Sequence, residues 1–519
     1  MELVQKQVRY MQGKPSITDQ FQMDEDYNVP DTKDDVKQIV RSKETVKIED
    51  INLIENYLRV SGKLCFQILY IVDSEENRLA SLEGKIPFEE MVYVTDVGKD
   101  EFFIEHVRTE FQAALIHSRK ISLHAMIELE IGREQMQEEN TTIDMESDVP
   151  VYKKMKRINL LEIQMNKNDT YRVKEEITLP GTKESIGQLL LSDISLRKLE
   201  IRLMQDELRL QGEFLVFIIY LSEEQKTDWL EQTVAFEGKL ECSGIEEGMY
   251  DYISYTLEDT LADVRLDEDG EMRVIGIEGT IHLRMNIYKE ENIEVLADMY
   301  SLQKKCEFEV REANYEELMI QNHSKCKISE HLNLPELKED VLQICHSDGE
   351  IQLEHVEPSE QGLQLDGILH LSFLYLRAND EQPFGNWKGM IPFTWLLECN
   401  NMPGNVKYNI AEHVEQLSVN LAGNEEVEIK AVLSFDTFIR KPVTVQVVTS
   451  VAFTPLSVEE IEKRPGIVGY VVKKEDELWD LAKKFMTTEE GIMEVNNLEQ
   501  TTIKEGDKIL IFKENLSIL

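Results

Sequence analysis

Few residues in this 519-residue chain stand at spacings that do chemistry. The stretch Leu266–Met272, LDEDGEM, places Asp267 and Asp269 two apart before Gly270, the start of a calcium loop. The neighbouring ligand positions fail: Arg265 stands two before Asp267, and Gly276 occupies the closing glutamate position. A hairpin turn at Asp269-Gly270 accounts better for the pattern. His323-x-x-Cys326 is half of a metal site with no second pair at ligand spacing. GxxxxGK[S/T], GxSxG and HExxH do not occur, so phosphate-loop, serine-hydrolase and zincin chemistry has no support. No catalytic residue, metal ligand or cofactor is expected. The spacing worth pursuing is a charged loop, Lys473-Lys474-Glu475-Asp476-Glu477, followed by Trp479.

The charge balance narrows the partners. Lys+Arg is 56 against 100 Asp+Glu, a formal charge of −44. Phosphate backbones and anionic lipid surfaces are bound through Lys and Arg, so both are disfavoured. A basic partner, or a large assembly that needs solubility, fits better. The hydrophobic fraction of 42% supports real cores. The first twenty residues hold no apolar signal core. The longest apolar run, Phe214–Leu221, is far shorter than the ~20 residues that span a bilayer. Cys65, Cys242, Cys306, Cys326, Cys345 and Cys399 are scattered without CxxC spacing, which suggests reduced thiols in a cytosol.

The elements that must carry any surface repeat three times. LRVSGKLCFQILYI (Leu58–Ile71), LRLQGEFLVFIIYL (Leu208–Leu221) and LQLDGILHLSFLYL (Leu363–Leu376) share a glycine and a tyrosine: Gly62 and Tyr70, Gly212 and Tyr220, Gly367 and Tyr375. The separations Pro30 to Gly62, Pro180 to Gly212 and Pro335 to Gly367 are each 32 residues. A second glycine follows at Gly84, Gly238 and Gly389, at steps of 22, 26 and 22. The glycine–tyrosine segments read as buried central strands, and the in-strand glycines as bulges or close crossings. A short helix is expected just after each proline. The fold expected is multidomain and mainly β, with three repeated β-sandwich-like domains and a small βααβ module. The boundaries are an N-terminal segment 1–26, repeats 27–132, 170–289 and 325–445, linkers 133–169 and 290–324, a spacer 446–467 and a module 468–514. The repeats are expected to be independent domains, since each unit exceeds a solenoid repeat.

The module begins with a strand near Tyr470–Val472. Leu478, Leu481, Ala482 and Phe485 then give a helical stripe. A second helix around Ile492 and Val495 ends at Asn496-Asn497, and a strand Lys508–Phe512 follows the turn at Gly506-Asp507.

This pattern of Tyr470-x-Val472, Asp476-x-Leu478, Leu481-Ala482, Asn496-x-Leu498 and Gly506-Asp507-x-Ile509 resembles a LysM domain. The three upstream units resemble SPOCS domains, and three of these before one LysM is the layout of SipL-type spore morphogenetic proteins. The resemblance implies a non-enzymatic scaffold in the mother-cell cytoplasm, at the forespore surface and spore coat. It implies that LysM docks onto the coat-basement ATPase, in support of engulfment and coat assembly, with other coat proteins as further partners. The rival reading is a cell-wall protein binding peptidoglycan or N-acetylglucosamine. Glycan-binding LysM loops commonly read Gly-Asp-Thr, and here Glu475-Asp476-Glu477 stands instead, where glutamate adopts positive φ only at a cost. That departure favours a protein ligand. The partner-binding set expected is Lys473, Lys474, Glu475, Asp476, Glu477, Trp479, Asn496 and Asn497, with Trp479 as contact anchor or packing residue. The spacer is expected to let the module stand away from the repeats.

Overall fold

The structure is a computed structural model that describes residues 2–74, 78–95, 97–337, 341–378, 383–423, 425–457 and 466–513. Repeat one contains β1 (Glu2–Asn28), β2 (Val36–Ile54), β3 (Tyr57–Val72), β4 (Leu79–Tyr93), β5 (Glu101–His117) and β6 (Lys120–Glu146). Repeat two contains β7 (Tyr152–Thr178), β8 (Ile186–Met204), β9 (Glu207–Ser222), β10 (Thr227–Glu241), β11 (Tyr250–Leu266) and β12 (Met272–Tyr300). Repeat three contains β13 (Lys304–Asn333), β14 (Val341–Ser359), β15 (Gly362–Arg377), β16 (Phe384–Glu398), β17 (Lys407–Leu421) and β18 (Glu426–Pro455). Each repeat stacks two three-stranded antiparallel sheets, ordered β2-β3-β4 and β1-β6-β5 in repeat one, with the same order in the other two. Leu58, Leu64 and Ile68 of β3 meet Ile127, Leu129 and Ile131 of β6 in the first core, and the second and third cores repeat the plan.

The repeat signature has a packing cause. Gly62, Gly212 and Gly367 are each the sixth residue of the middle strand and lie opposite Phe88, Phe236 and Phe393. A Cβ on any of the three would fall within 2.7 Å of that ring, so the glycine leaves room for the phenyl face. The partner strand bulges beside each one, after Ile48, Arg197 and Leu353. The second glycine is not shared. Gly84 and Gly389 both stand four residues before the phenylalanine, whereas Gly238 stands two after Phe236 and accommodates the Tyr171 ring. The unequal step of 26 marked that mismatch.

The tyrosines are structural as well. The Tyr70 hydroxyl donates to the Asp34 carbonyl at 3.2 Å and the Tyr220 hydroxyl to the Glu184 carbonyl at 3.4 Å, tying the middle strand to the turn after the proline. No helix forms after Pro30 or Pro180. The chain makes a tight turn and re-enters strand at Val36 and Ile186. Arg119 and Arg273 hold those turns by donating to the carbonyls of Pro30 and Pro180 and of Lys33 and Lys183. In repeat three a single 3-10 turn, Pro335–Leu337, takes that place, and residues 338–340 lie outside the described residues.

The segments expected as linkers, 133–169 and 290–324, are strand apart from the turns at 147–151 and 301–303, as are residues 2–26. β1, β6, β7, β12, β13 and β18 run 27 to 30 residues. At ~3.3 Å per residue each reaches about 90 Å, well past its sandwich. Their distal halves form three two-stranded ribbons, β1–β6, β7–β12 and β13–β18. These close on one another as a stalk around Val8, Leu160, Val295, Tyr315 and Val447. Residues 458–465 of the expected spacer lie outside the described residues.

The repeats are not independent. β4 lies against β8, β10 against β14 and β16 against β2, so the small sheets close a ring. Leu69, Ile219 and Leu374, from the same position of the three middle strands, meet on its axis. Beside this apolar centre Asp193 accepts from Arg41 at 2.8 Å and Lys43 at 2.6 Å, with His346 Nε2 at 3.4 Å. Burial alone would raise its carboxyl; Lys43, His346 and Arg41 outweigh that and hold it well below the ordinary carboxylate range. The cluster draws on all three repeats. We expect Asp193→Ala to cost ~3–5 kcal/mol by leaving the buried Arg41 guanidinium uncompensated, and to lower the urea midpoint of the three repeats together.

Glu44, at the seam between repeats three and one, goes the other way. Burial pushes its carboxyl up to about 7, opposed by Lys388 and reinforced by Glu350. The folded state therefore binds a proton more tightly than the unfolded chain, and stability falls as pH rises from about 4.5 to 7. Glu44→Gln should flatten that fall, raising stability at pH 8 relative to pH 4.5. Urea midpoints at the two pH values check it.

Candidate functional site

The C-terminal module is built as its sequence indicates: β19 (Ile467–Val471), α1 (Leu478–Phe485), α2 (Glu489–Asn496) and β20 (Lys508–Phe512), with β19 and β20 antiparallel. Leu478, Leu481 and Ala482 of α1, Ile492 of α2 and Ile509 and Ile511 of β20 form its core. Thr488 caps α2 by accepting from the Gly491 amide at 2.9 Å.

The eight expected site residues divide by what holds them. Asp476 is a loop staple: its carboxylate accepts from the Lys473 amide at 2.7 Å and the Tyr470 hydroxyl at 3.0 Å. The Lys473 amide in particular holds that carboxyl below its usual range. Glu475 sits at φ 72, the left-handed conformation a glycine would take freely. The loop thus keeps its shape without the glycine. Asn496 turns onto the edge of β20, donating to the Leu510 carbonyl at 2.6 Å and accepting from the Leu510 amide at 2.7 Å, as a neighbouring strand would. Asn497 ends α2 in the left-handed conformation, φ 51. Lys473, Lys474 and Glu475 are exposed.

Trp479 faces inward on the rest of the chain, while Glu477 stays exposed at the edge of that contact. The module is seated on the tip of ribbon β7–β12 rather than standing away from the repeats. Trp479 is only 6% exposed. Its indole N–H donates to Asp298 Oδ2 at 2.7 Å, and its ring meets the Tyr300 ring edge-on at 5.0 Å. Lys483, one turn along α1, donates to Asp298 Oδ1 at 2.6 Å and lies over the Phe308 ring. The Tyr300 hydroxyl donates to the Thr487 carbonyl at 3.0 Å, and Lys154 pairs with Glu477. Sequence reasoning missed Asp298, Tyr300 and Lys154 because they fall in the segments taken for linkers.

The other chemical spacings resolve into structure. Asp267 closes the β11–β12 hairpin, its carboxylate accepting from the amides of Asp269 at 3.0 Å and Glu271 at 2.9 Å. His323 and Cys326 share β13 at an odd spacing, so they point to opposite faces, and Cys326 enters the core of repeat three. Among the described residues Glu258, Asp259 and His282 lie close enough to share an ion, but Lys47 already pairs with Asp259. No described helix is long and apolar enough to cross a membrane.

With the fold in hand, comparison with known families places the chain among proteins built from SPOCS and LysM domains. A SipL SPOCS-domain profile matches residues 35–113, 185–265 and 340–422, and a LysM profile matches 470–512. The chain carries three SipL SPOCS domains followed by a C-terminal LysM domain. Each SPOCS match runs from the start of the small sheet to the strand before the long closing one, so most of each ribbon lies outside it. Both are non-catalytic domain types, and together they support a sporulation-related protein. Comparison with curated proteins and with solved structures gave no match.

Two substitutions test the local assignments. Glu475→Gly should stabilise LysM by up to ~1 kcal/mol by relieving the left-handed glutamate. Asn496→Ala should cost about 1 kcal/mol and speed hydrogen exchange at the Leu510 amide. Amide exchange on the full chain measures both.

Proposed function

We propose that the chain is a non-enzymatic scaffold of spore morphogenesis. Its LysM docks onto the coat-basement ATPase at the forespore surface, on the mother-cell side, and so supports engulfment and coat assembly. The observation that carries this reading is the LysM loop. Lys473, Lys474 and Glu475 are exposed on a turn fixed by Asp476, so charged side chains stand where a neutral sugar would meet glycine backbone. Fixed charges of both signs suit a protein surface and set partner choice. The domain types add no catalytic element.

The test is binding of the full chain to the purified ATPase. Lys473→Glu with Lys474→Glu should weaken it at least tenfold while leaving the LysM amide-exchange pattern intact. Cosedimentation of the wild-type chain with peptidoglycan, without ATPase binding, would favour the cell-wall reading instead.

A further inference from the structure

The seat of the LysM domain describes a ligand. Two donors on one face of α1, the Trp479 indole N–H and the Lys483 ammonium, converge on the two oxygens of one carboxylate, Asp298. An aromatic ring, Tyr300, lies edge-on against the indole and reaches past it to the Thr487 carbonyl. A carboxylate beside an aromatic ring is therefore the chemistry this face accepts. Charge-assisted donors on a largely buried indole give it selectivity over a neutral ligand.

The three ribbons supply an internal comparison. Each carries a β-bulge at the same height: at residue 143 in ribbon one, Ala297 in ribbon two and Thr449 in ribbon three. The residue that follows differs in use. Asp144 accepts from Lys153 at 2.6 Å, and Ser450 donates to Glu309 at 2.9 Å, so both are spent within the stalk. Asp298 alone of these three reaches the LysM domain.

We propose that the α1 face of LysM is a recognition surface for a carboxylate–aromatic pair, that ribbon β7–β12 occupies it in the free chain, and that a protein partner bearing the same pair binds by displacing the ribbon. The partner's identity rests on the reading above; the masking does not. Lys473 and Lys474 remain accessible while the seat is closed, so the loop makes first contact and the α1 face engages once the ribbon leaves. Displacement costs the partner part of its binding energy, and a chain with the seat opened binds more tightly by that amount.

The experiment uses the full chain in four forms: wild type, Asp298→Asn, Asp298→Asn with Tyr300→Ala, and that double variant with Trp479→Ala. Hydrogen exchange over residues 478–487 reports whether the seat has opened. Titration with the purified coat-basement ATPase reports affinity. The double variant should exchange faster across α1 and bind at least tenfold more tightly than wild type. Asp298→Asn, which keeps the side-chain volume, should fall between them. Trp479→Ala in the opened chain should remove the gain. Equal affinity of wild type and double variant overturns the masking while leaving LysM docking intact. A double variant with unchanged α1 exchange overturns it too, because the seat is then not held by this pair. Absence of binding in every form refutes the docking reading, and the displacement with it.

Discussion

Three sheets in this molecule each have an apolar patch on the face turned away from their own sandwich, and nothing else in the described chain covers it. Leu69 and Ile71 in repeat one, Ile219 and Leu221 in repeat two and Leu374 in repeat three can leave water only by meeting one another. That requirement bends three sandwiches into a ring. The ring places buried charge where the repeats converge, so Asp193 must find cations on its neighbours. It also sets the long strands side by side, which lets their distal halves close as a stalk. The LysM seat exists because the stalk exists.

The sequence announces what is local. A glycine under a phenyl ring and a tyrosine bound to a turn carbonyl are short-range devices, and they recur at fixed spacing. The second LysM helix, α2, ends where Asn496 and Asn497 suggest. The ribbons were harder to see because their alternation is diluted. In β7, Ile158, Leu160, Leu161 and Ile163 are buried, yet charged and amide residues surround them, since one face of a ribbon stays wet. The segments after Pro30 and Pro180, expected as short helices, fold as turn and strand, because pairing with the middle strand overrides a weak local preference. The ring leaves no periodic trace, for its contacts join residues from about 150 to more than 300 positions apart.

The site shows the same division. Asp476 and Asn496 are conspicuous in sequence because the LysM fold needs them: one pins the loop and the other stands in for a missing strand. Trp479 was legible as a large aromatic with two readings. The structure assigns it a partner within the chain, supplied by a segment 181 residues earlier that carries no motif. Only the bulge after Leu296 aims Asp298 at it, and bulges are set by strand pairing rather than by composition.

The near-threefold body carries one LysM domain, and that mismatch fixes its valency. Three ribbons reach the same height, but among the described residues it is the tip of β7–β12 whose Asp298 and Lys154 seat the one LysM domain. Toward any ligand of LysM the chain is therefore monovalent, and it gains no avidity from its own repeats. On a polymerised surface such a molecule decorates subunits one by one and does not bridge them. If the ligand of LysM is such a surface, each bound copy would bring one stalk and one ring of sandwiches to it, with spacing dictated by the lattice beneath.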